Sequence, residues 1–127
     1  MANTSFIEGL ESRRLLSGTI RPDVDAPASF DHVTVYETVT AFHDANSFVG
    51  AIYQIDHSAT HFNTYGLNNS FTAYGTYKYS RRGHIAILTE DTKGVTSTVT
   101  LSYSSRHAGT FYNNFGNGIF VEGTFRS

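Results

Sequence analysis

The sequence predicts an all-β domain, built as a single antiparallel, mostly up-and-down barrel of about eight strands, and three observations lead to it. Apolar and polar residues alternate over Val95–Ser104, where Val99, Leu101 and Tyr103 share one face and Thr or Ser occupy the other, as in a strand with one buried face. Short β-runs recur at intervals of roughly 8 to 12 residues, which is typical of barrels and sandwiches. The chain has 10 Phe and 8 Tyr, and aromatic residues favour strands. A two-sheet β-sandwich is the alternative.

Three strands are predicted in the first half of the domain. Residues Phe30–Val39 alternate between apolar and polar side chains. Residues Phe48–Ile55 have apolar side chains on both faces, so we expect a strand that is covered on both sides. A weaker strand covers Thr60–Tyr65 and ends at Gly66.

Five further strands follow in the second half. They cover Phe71–Ser80, His84–Glu90, Val95–Ser104, His107–Phe111 and Ile119–Arg126. The breaks between them are short, and short connections favour strands that are neighbours in the sheet.

A Gly-Thr-aromatic triplet recurs in this half, at residues 75–77, 109–111 and 123–125. A glycine inside a strand costs stability unless the backbone bends or another group approaches closely. We therefore predict an architectural role, in which each glycine lies under an aromatic ring of a neighbouring strand.

The chain of 127 residues is long enough for one hydrophobic core. Residues 30–127 form the predicted domain. Residues 19–29 contain both prolines and are predicted to be an extended linker. Residues 1–18 form an N-terminal arm, in which Ser5 and Glu8 fit a helix capping box and Gly18 fits a helix stop.

The N-terminal arm also carries a motif-like string, FIEGLESRRLLSG, over Phe6–Gly18. It resembles the motif F-E-x-L-E-x-R-R-x-L-S, which occurs near the start of many extracellular proteins of planctomycete bacteria. The residues that match are Phe6, Leu10, Glu11, Arg13, Arg14, Leu16 and Ser17. The resemblance implies an extracellular or cell-surface location. The arm lacks the apolar run of about 7 to 15 residues that an ordinary signal peptide has.

A second resemblance covers residues 75–125. The segments GTYKYSRRGHIAIL, AGTF and EGTF resemble secreted bacterial β-modules and the closing hairpins of calycin-like barrels. Because the chain has no Trp, it lacks the Gly-x-Trp signature of lipocalins. The resemblance implies a barrel that could hold a small molecule.

Composition excludes several classes of function. The formal net charge is −2 and the basic residues are scattered, so we expect no nucleic-acid partner. With no cysteine, the chain has no disulfide, thiolate metal site or cysteine nucleophile. Its apolar runs are shorter than the roughly 20 residues of a membrane-spanning helix. An open sheet edge would allow the chain to oligomerise.

Glu37 is the leading candidate for a ligand-binding residue. It shares the parity of Val33, Val35 and Val39, which predicts a carboxyl group on the inner face of the first strand. An inward carboxyl is costly unless it is paired, hydrated or functional, although a position at a strand end would also explain it. Other carboxyl groups that could act with it belong to Asp56, Glu90 and Glu122.

Three tyrosines complete the candidate ligand-binding set. Tyr36, Tyr53 and Tyr77 have rings that could contact an apolar molecule or stack on a carbohydrate. No spacing rule makes this assignment specific.

His57 and His61 are the candidate metal ligands. They are four residues apart in the segment DHSATHFN, which is poor in helix formers. On one strand they would lie about 13 Å apart, so a shared metal ion requires a loop that brings them together. Surface histidines at a strand end are the alternative.

These observations leave two hypotheses for the function. Because no catalytic motif or cofactor-binding motif is present, the first is a non-catalytic exported or cell-surface domain for adhesion, matrix assembly or ligand binding, without a cofactor. The second is a small calycin-like barrel that carries or transforms an apolar molecule in its interior, with Glu37 or a histidine as the acid-base group. A hollow barrel lined by an acid favours the second.

Overall fold

Eight antiparallel strands close into a barrel in the computed structural model, which describes residues 24–127. The strands are β1 Thr34–His43, β2 Ile52–His57, β3 His61–Gly66, β4 Thr72–Arg82, β5 Ile85–Thr92, β6 Val95–Ser105, β7 Ala108–Gly116 and β8 Ile119–Arg126. The N-terminal arm, with its predicted helix and export motif, lies outside the described residues. Within residues 24–127, no helix is long and apolar enough to cross a membrane.

Each strand pairs with its neighbours in the chain, and β1 pairs with β8 to close the sheet. The predicted up-and-down barrel is therefore confirmed, and the sandwich alternative is wrong. Because every one of the eight strands is paired on both sides, the barrel offers no open sheet edge among them. The sequence-based prediction that the chain could oligomerise through an open sheet edge therefore finds no such edge among these eight strands.

The first two strands begin later than the sequence pattern predicts. Strand β1 begins at Thr34 rather than Phe30, and β2 begins at Ile52 rather than Phe48. Phe30 is buried, but Phe48 and Val49 belong to the β1–β2 loop and are exposed. The predicted strands were too long because apolar residues that precede β1 and β2 continue the apolar pattern without belonging to a strand.

Tight turns connect the later strands. Between β5 and β6, Lys93 and Gly94 both have positive φ, at 53° and 86°. Two consecutive residues with positive φ match the strand twist of a two-residue hairpin. This turn places the start of β6 directly beside the end of β5, where Thr92 pairs with Val95.

Aromatic rings lie against glycines of neighbouring strands, as the repeated triplet predicts. A Cβ atom at Gly75 would lie 3.1 Å from the ring of Phe62, and one at Gly109 would lie 3.0 Å from the ring of Phe125. Gly123 lies under the ring of Phe111 in the same way. The architectural interpretation is confirmed.

Residues 24–30, which we call the cap segment, close one end of the barrel. Ala26 and Phe30 are each 1% exposed. The Ala26 N–H donates to the Gly83 carbonyl at 2.9 Å, and the Tyr79 hydroxyl donates to the Pro27 carbonyl at 2.5 Å. The part of the predicted linker that is described here therefore packs onto the barrel instead of running through solvent.

Candidate functional site

The interior of the barrel is a cavity of about 540 Å³, within the usual range for small-molecule sites. It runs from Phe30 in the cap segment to the loops at the opposite end of the barrel, which we call the mouth. Its wall is mainly apolar, and the lining includes Val35, Ile55, Phe62, Phe71, Leu88, Val99, Leu101, Phe111, Phe115, Ile119 and Val121.

Two long loops border the mouth. The loop of residues 44–51 connects β1 to β2, and the loop of residues 67–71 connects β3 to β4. Their apolar side chains stand in solvent, with Val49 at 65%, Leu67 at 52% and Phe71 at 44% exposed. An apolar molecule that enters the cavity would pass these side chains first.

Glu37 lies on the inner wall of β1, between the buried Val35 and Val39. Its position on the inner face agrees with its parity in the sequence. Burial, and to a lesser extent the charge of Glu90, raises the pKa of the Glu37 carboxyl to about 8. At neutral pH the side chain is therefore held mostly as the neutral acid.

Glu90 lines the same cavity from β5. In a closed barrel of eight strands, β1 and β5 are four strands apart in either direction, so Glu37 and Glu90 project from opposite walls. Burial raises the pKa of Glu90 to about 7. We call Glu37 and Glu90 the carboxyl pair.

Asn113 adds a third polar group to the wall, from β7. Its Oδ1 atom is buried and has no hydrogen-bond partner among the described residues. Buried polar atoms in proteins are nearly always hydrogen-bonded. An unpaired acceptor beside a cavity indicates that this wall is suited to a polar ligand atom.

His57 lies near the capped end of the cavity. Its ring packs edge-on against Phe30 and Tyr77, with centroid distances of 4.9 Å and 5.2 Å, and its Nδ1 is 2.9 Å from the Val33 carbonyl oxygen. Burial lowers the pKa of His57, although the Val33 hydrogen bond opposes this effect. A neutral ring that donates Nδ1–H to Val33 keeps Nε2 as an acceptor.

The three candidate tyrosines are placed in different surroundings. Tyr36 is on the outer face of β1, where the Arg126 guanidinium lies 4.4 Å from its ring centroid. Tyr53 lines the cavity and packs edge-on against Phe71 at 5.5 Å. Tyr77 is buried near His57, and its hydroxyl donates to the Ser58 carbonyl. Of the three, only Tyr53 reaches the cavity wall together with Glu37.

The structure does not bring His57 and His61 together. They belong to β2 and β3 on either side of a three-residue hairpin turn, Ser58–Thr60. His57 points inward, whereas His61 is exposed and bonded to the Thr60 hydroxyl at 2.7 Å. In residues 24–127, no group of three His, Cys, Asp or Glu side chains is arranged to hold a metal ion.

Sequence reasoning gave no priority to Glu90 and did not select Asn113. Glu90 shares its parity with Ala86 and Leu88, both buried, so the argument that placed Glu37 inside would also have placed Glu90 there. Asn113 lies beyond Phe111, where the sequence pattern ended the seventh strand too early. Extending that alternation by two residues would have found it.

Comparison of the chain with protein-family models, with curated proteins and with solved structures finds no match in any of the three.

Proposed function

We propose that this protein binds an apolar small molecule inside its barrel, as calycin-like carriers do. The observation that carries the proposal is the cavity of about 540 Å³ with a mainly apolar wall. Burial of a ligand's apolar surface contributes about 25 cal/mol per Å², so such a wall supports binding without a specific charge contact. The hollow interior favours this hypothesis over adhesion or matrix assembly, which would use the outer surface.

Access supports the same proposal. The capped end is closed by Phe30 and its neighbours, whereas the opposite end is bordered by exposed apolar side chains on the loops of residues 44–51 and 67–71. The mouth is thus the natural entrance for an apolar ligand.

Titration with Nile red, an uncharged apolar dye, tests the proposal. Fluorescence enhancement with one dye per chain is expected for the native protein. Ser97→Phe places a ring in the cavity and is expected to abolish the enhancement, because Ser97 lines the wall. Thr98→Phe is the matched control, since Thr98 is the next residue of β6 and is exposed on the outer face. Equal dye binding by both variants would exclude the interior as the site.

Export to the cell surface is a second, independent part of the proposal. It is supported by the resemblance of residues 6–17 to the planctomycete extracellular motif. A carrier outside the cell would meet apolar molecules before they reach the membrane. Expression of the tagged full chain in a planctomycete host, with detection in the surface and medium fractions, tests it. Retention in the cytoplasm would contradict export and leave the binding proposal intact.

A further inference from the structure

We propose that the ligand of the cavity is a hydrophobic primary amine, whose ammonium group lies between Glu37 and Glu90 while its apolar body fills the rest of the lumen. The inference rests on the proposed function, because it requires a cavity that a ligand can enter. It adds the chemical class of the ligand and names the residues that recognise it.

The placement of the carboxyl pair is the first argument. Glu37 on β1 and Glu90 on β5 face the lumen from opposite walls and are close enough for Glu90 to raise the pKa of Glu37, so a ligand in the lumen would lie between them. Neither carboxyl has a hydrogen-bond or salt-bridge partner in the described part of the chain. Two unpaired acids in a mainly apolar cavity are costly to a fold, and a ligand that pairs with them would offset that cost.

The charge of the lumen is the second argument. Asp44 at the mouth joins the carboxyl pair among the lining residues, and no lysine or arginine of residues 24–127 lines the cavity. A ligand with a carboxylate would find no cationic side chain to pair with among these lining residues, and the carboxyl pair would repel it once the pair is ionised. An ammonium group is the complement, since it carries a positive charge and three hydrogen-bond donors. The buried Oδ1 atom of Asn113, on β7 midway between β5 and β1, is a further unpaired acceptor in the lining.

Aromatic rings in the lining give the third argument. The rings that line the cavity are those of Phe30, Tyr53, Phe62, Phe71, Phe111 and Phe115. The face of an aromatic ring attracts a cation, most strongly where water is excluded. The wall therefore suits both parts of an amphipathic amine, its alkyl or aryl body and its cationic head.

Binding of an ammonium group must be linked to proton release. The empty site holds its carboxyls largely as neutral acids, with pKa values of about 8 for Glu37 and about 7 for Glu90. A nearby positive charge favours the ionised form, so each bound amine displaces protons from the pair. Affinity is therefore expected to rise with pH from about 6 to about 9, while the amine itself stays charged up to about pH 10.

Other titratable groups near the pair do not reverse this direction. His57 has a pKa lowered by burial, and Tyr77, which pairs with Glu90 across β4 and β5, has a pKa raised by burial; both are neutral in this range. The remaining acid of the lining, Asp44, lies at the mouth, where its Oδ2 atom is 3.3 Å from Nε2 of His43. Tyr53 is opposite Glu37 in the β1–β2 register.

Isothermal titration with three probes of equal chain length tests the inference: octylamine, octan-1-ol and octanoate. Titrations at about pH 6 and about pH 8.5 bracket the pKa values of the pair. At about pH 8.5 we expect octylamine to bind more tightly than octan-1-ol and octanoate to bind most weakly, and we expect the octylamine affinity to rise between the two pH values. Heats measured in phosphate and in HEPES should differ by the enthalpy of the protons released.

Glu37→Gln and Glu90→Gln identify the residues responsible. Each is expected to weaken octylamine binding by about thirtyfold or more, as for loss of one partner of a buried charge pair, and to leave octan-1-ol binding within about threefold. Glu122→Gln removes the same charge from the outer face of β8 and should change neither affinity. Thermal melts confirm that each variant is folded.

The outcomes separate this inference from the proposed function. If at about pH 8.5 octan-1-ol binds as tightly as octylamine, or octanoate binds best, the cavity is a ligand site but its ligand is not an amine. Octylamine binding without proton release, or unchanged by both glutamine variants, would also overturn the role of the carboxyl pair. If neither Nile red nor any of the three probes binds, the proposed function fails together with this inference.

Discussion

The ring of Phe111 on β7 lies against Gly123 on β8, where a Cβ atom would be only 2.9 Å from the ring carbon Cε1. The two residues are direct partners in the strand register. Two residues further along, the same two strands make the contact with the roles exchanged: Phe125 of β8 lies over Gly109 of β7. The glycines thus let two large rings pack directly against the backbone of the neighbouring strand.

Gly123→Ala is expected to destabilise the barrel by about 1 to 3 kcal/mol, the usual cost of inserting a methyl group into a packed interior. The new Cβ would meet the ring of Phe111 on one side and the Thr38 carbonyl on the other, and neither is the free end of a flexible side chain. Urea unfolding measures the change. Thr124→Ala is the control on the exposed face of the same strand, and equal midpoints for both variants would contradict the packing argument.

Stability is expected to fall as the pH rises from about 4.5 to about 8, because of Glu37. Burial raises its pKa from 4.5 to about 8 in the folded protein, so over this range the unfolded chain loses a proton that the folded chain retains. Each unit of pKa difference corresponds to ~1.4 kcal/mol. Below about pH 4.5 both states are protonated, and above about pH 8 both are ionised.

Glu37→Gln removes this group's titration and is expected to reduce the pH dependence, leaving the part that Glu90 contributes up to about pH 7, and to make the protein more stable at pH 8 than the native chain, by several kcal/mol at most. Urea unfolding of the two proteins at about pH 5 and about pH 8 gives the comparison. Parallel pH profiles would show that the carboxyl is solvated in the folded state. Glu122→Gln, on the outer face, should follow the native profile.

Two tyrosines near the capped end are expected to respond oppositely to loss of their hydroxyl groups. Tyr79→Phe removes the hydrogen bond to the Pro27 carbonyl and should cost about 1 kcal/mol. The Tyr103 hydroxyl is buried without a partner among the described residues, so Tyr103→Phe should be neutral or stabilising. Thermal unfolding under identical conditions gives both values. A destabilised Tyr103→Phe protein would reveal a partner for that hydroxyl.

A shortened chain that begins at Phe30 is expected to be less stable than one that begins at Val24. It lacks the hydrogen bonds that Gly83, Tyr79 and Arg81 make to residues 26 and 27, and three such bonds together contribute about 3 kcal/mol. It also loses the burial of Ala26. Urea midpoints of the two chains are the test, and coincident midpoints would show that residues 24–29 are a linker after all.

Most of the fold could be predicted from alternation alone. The pattern gave the eight strands in their order, and the short connections favoured an up-and-down arrangement. The repeated Gly-Thr-aromatic triplet correctly predicted rings packed over glycines. The pattern failed at the starts of β1 and β2, where Phe30 belongs to the cap segment and Phe48 to an exposed loop. Periodicity records hydrophobicity and does not identify the element to which an apolar residue belongs.

Less of the candidate site could be predicted. Parity placed Glu37 on the inner face, and the same rule would have placed Glu90 there. Parity does not say which strands face each other, however, since that depends on closure of β1 against β8. His57 and His61 illustrate the same limit, because a hairpin turn between them directs one side chain inward and the other into solvent.

The sequence by itself determined the strands, the face that each residue occupies and the number of acids available to the interior, because these follow from local backbone geometry with a period of two. Only the tertiary structure decided that the sheet closes, that its centre is hollow, and that Glu37 and Glu90 face that space from opposite walls. The number and tilt of the strands set the diameter of a barrel, and the diameter determines whether side chains fill it. That property belongs to the closed sheet as a whole and to no single segment of the chain.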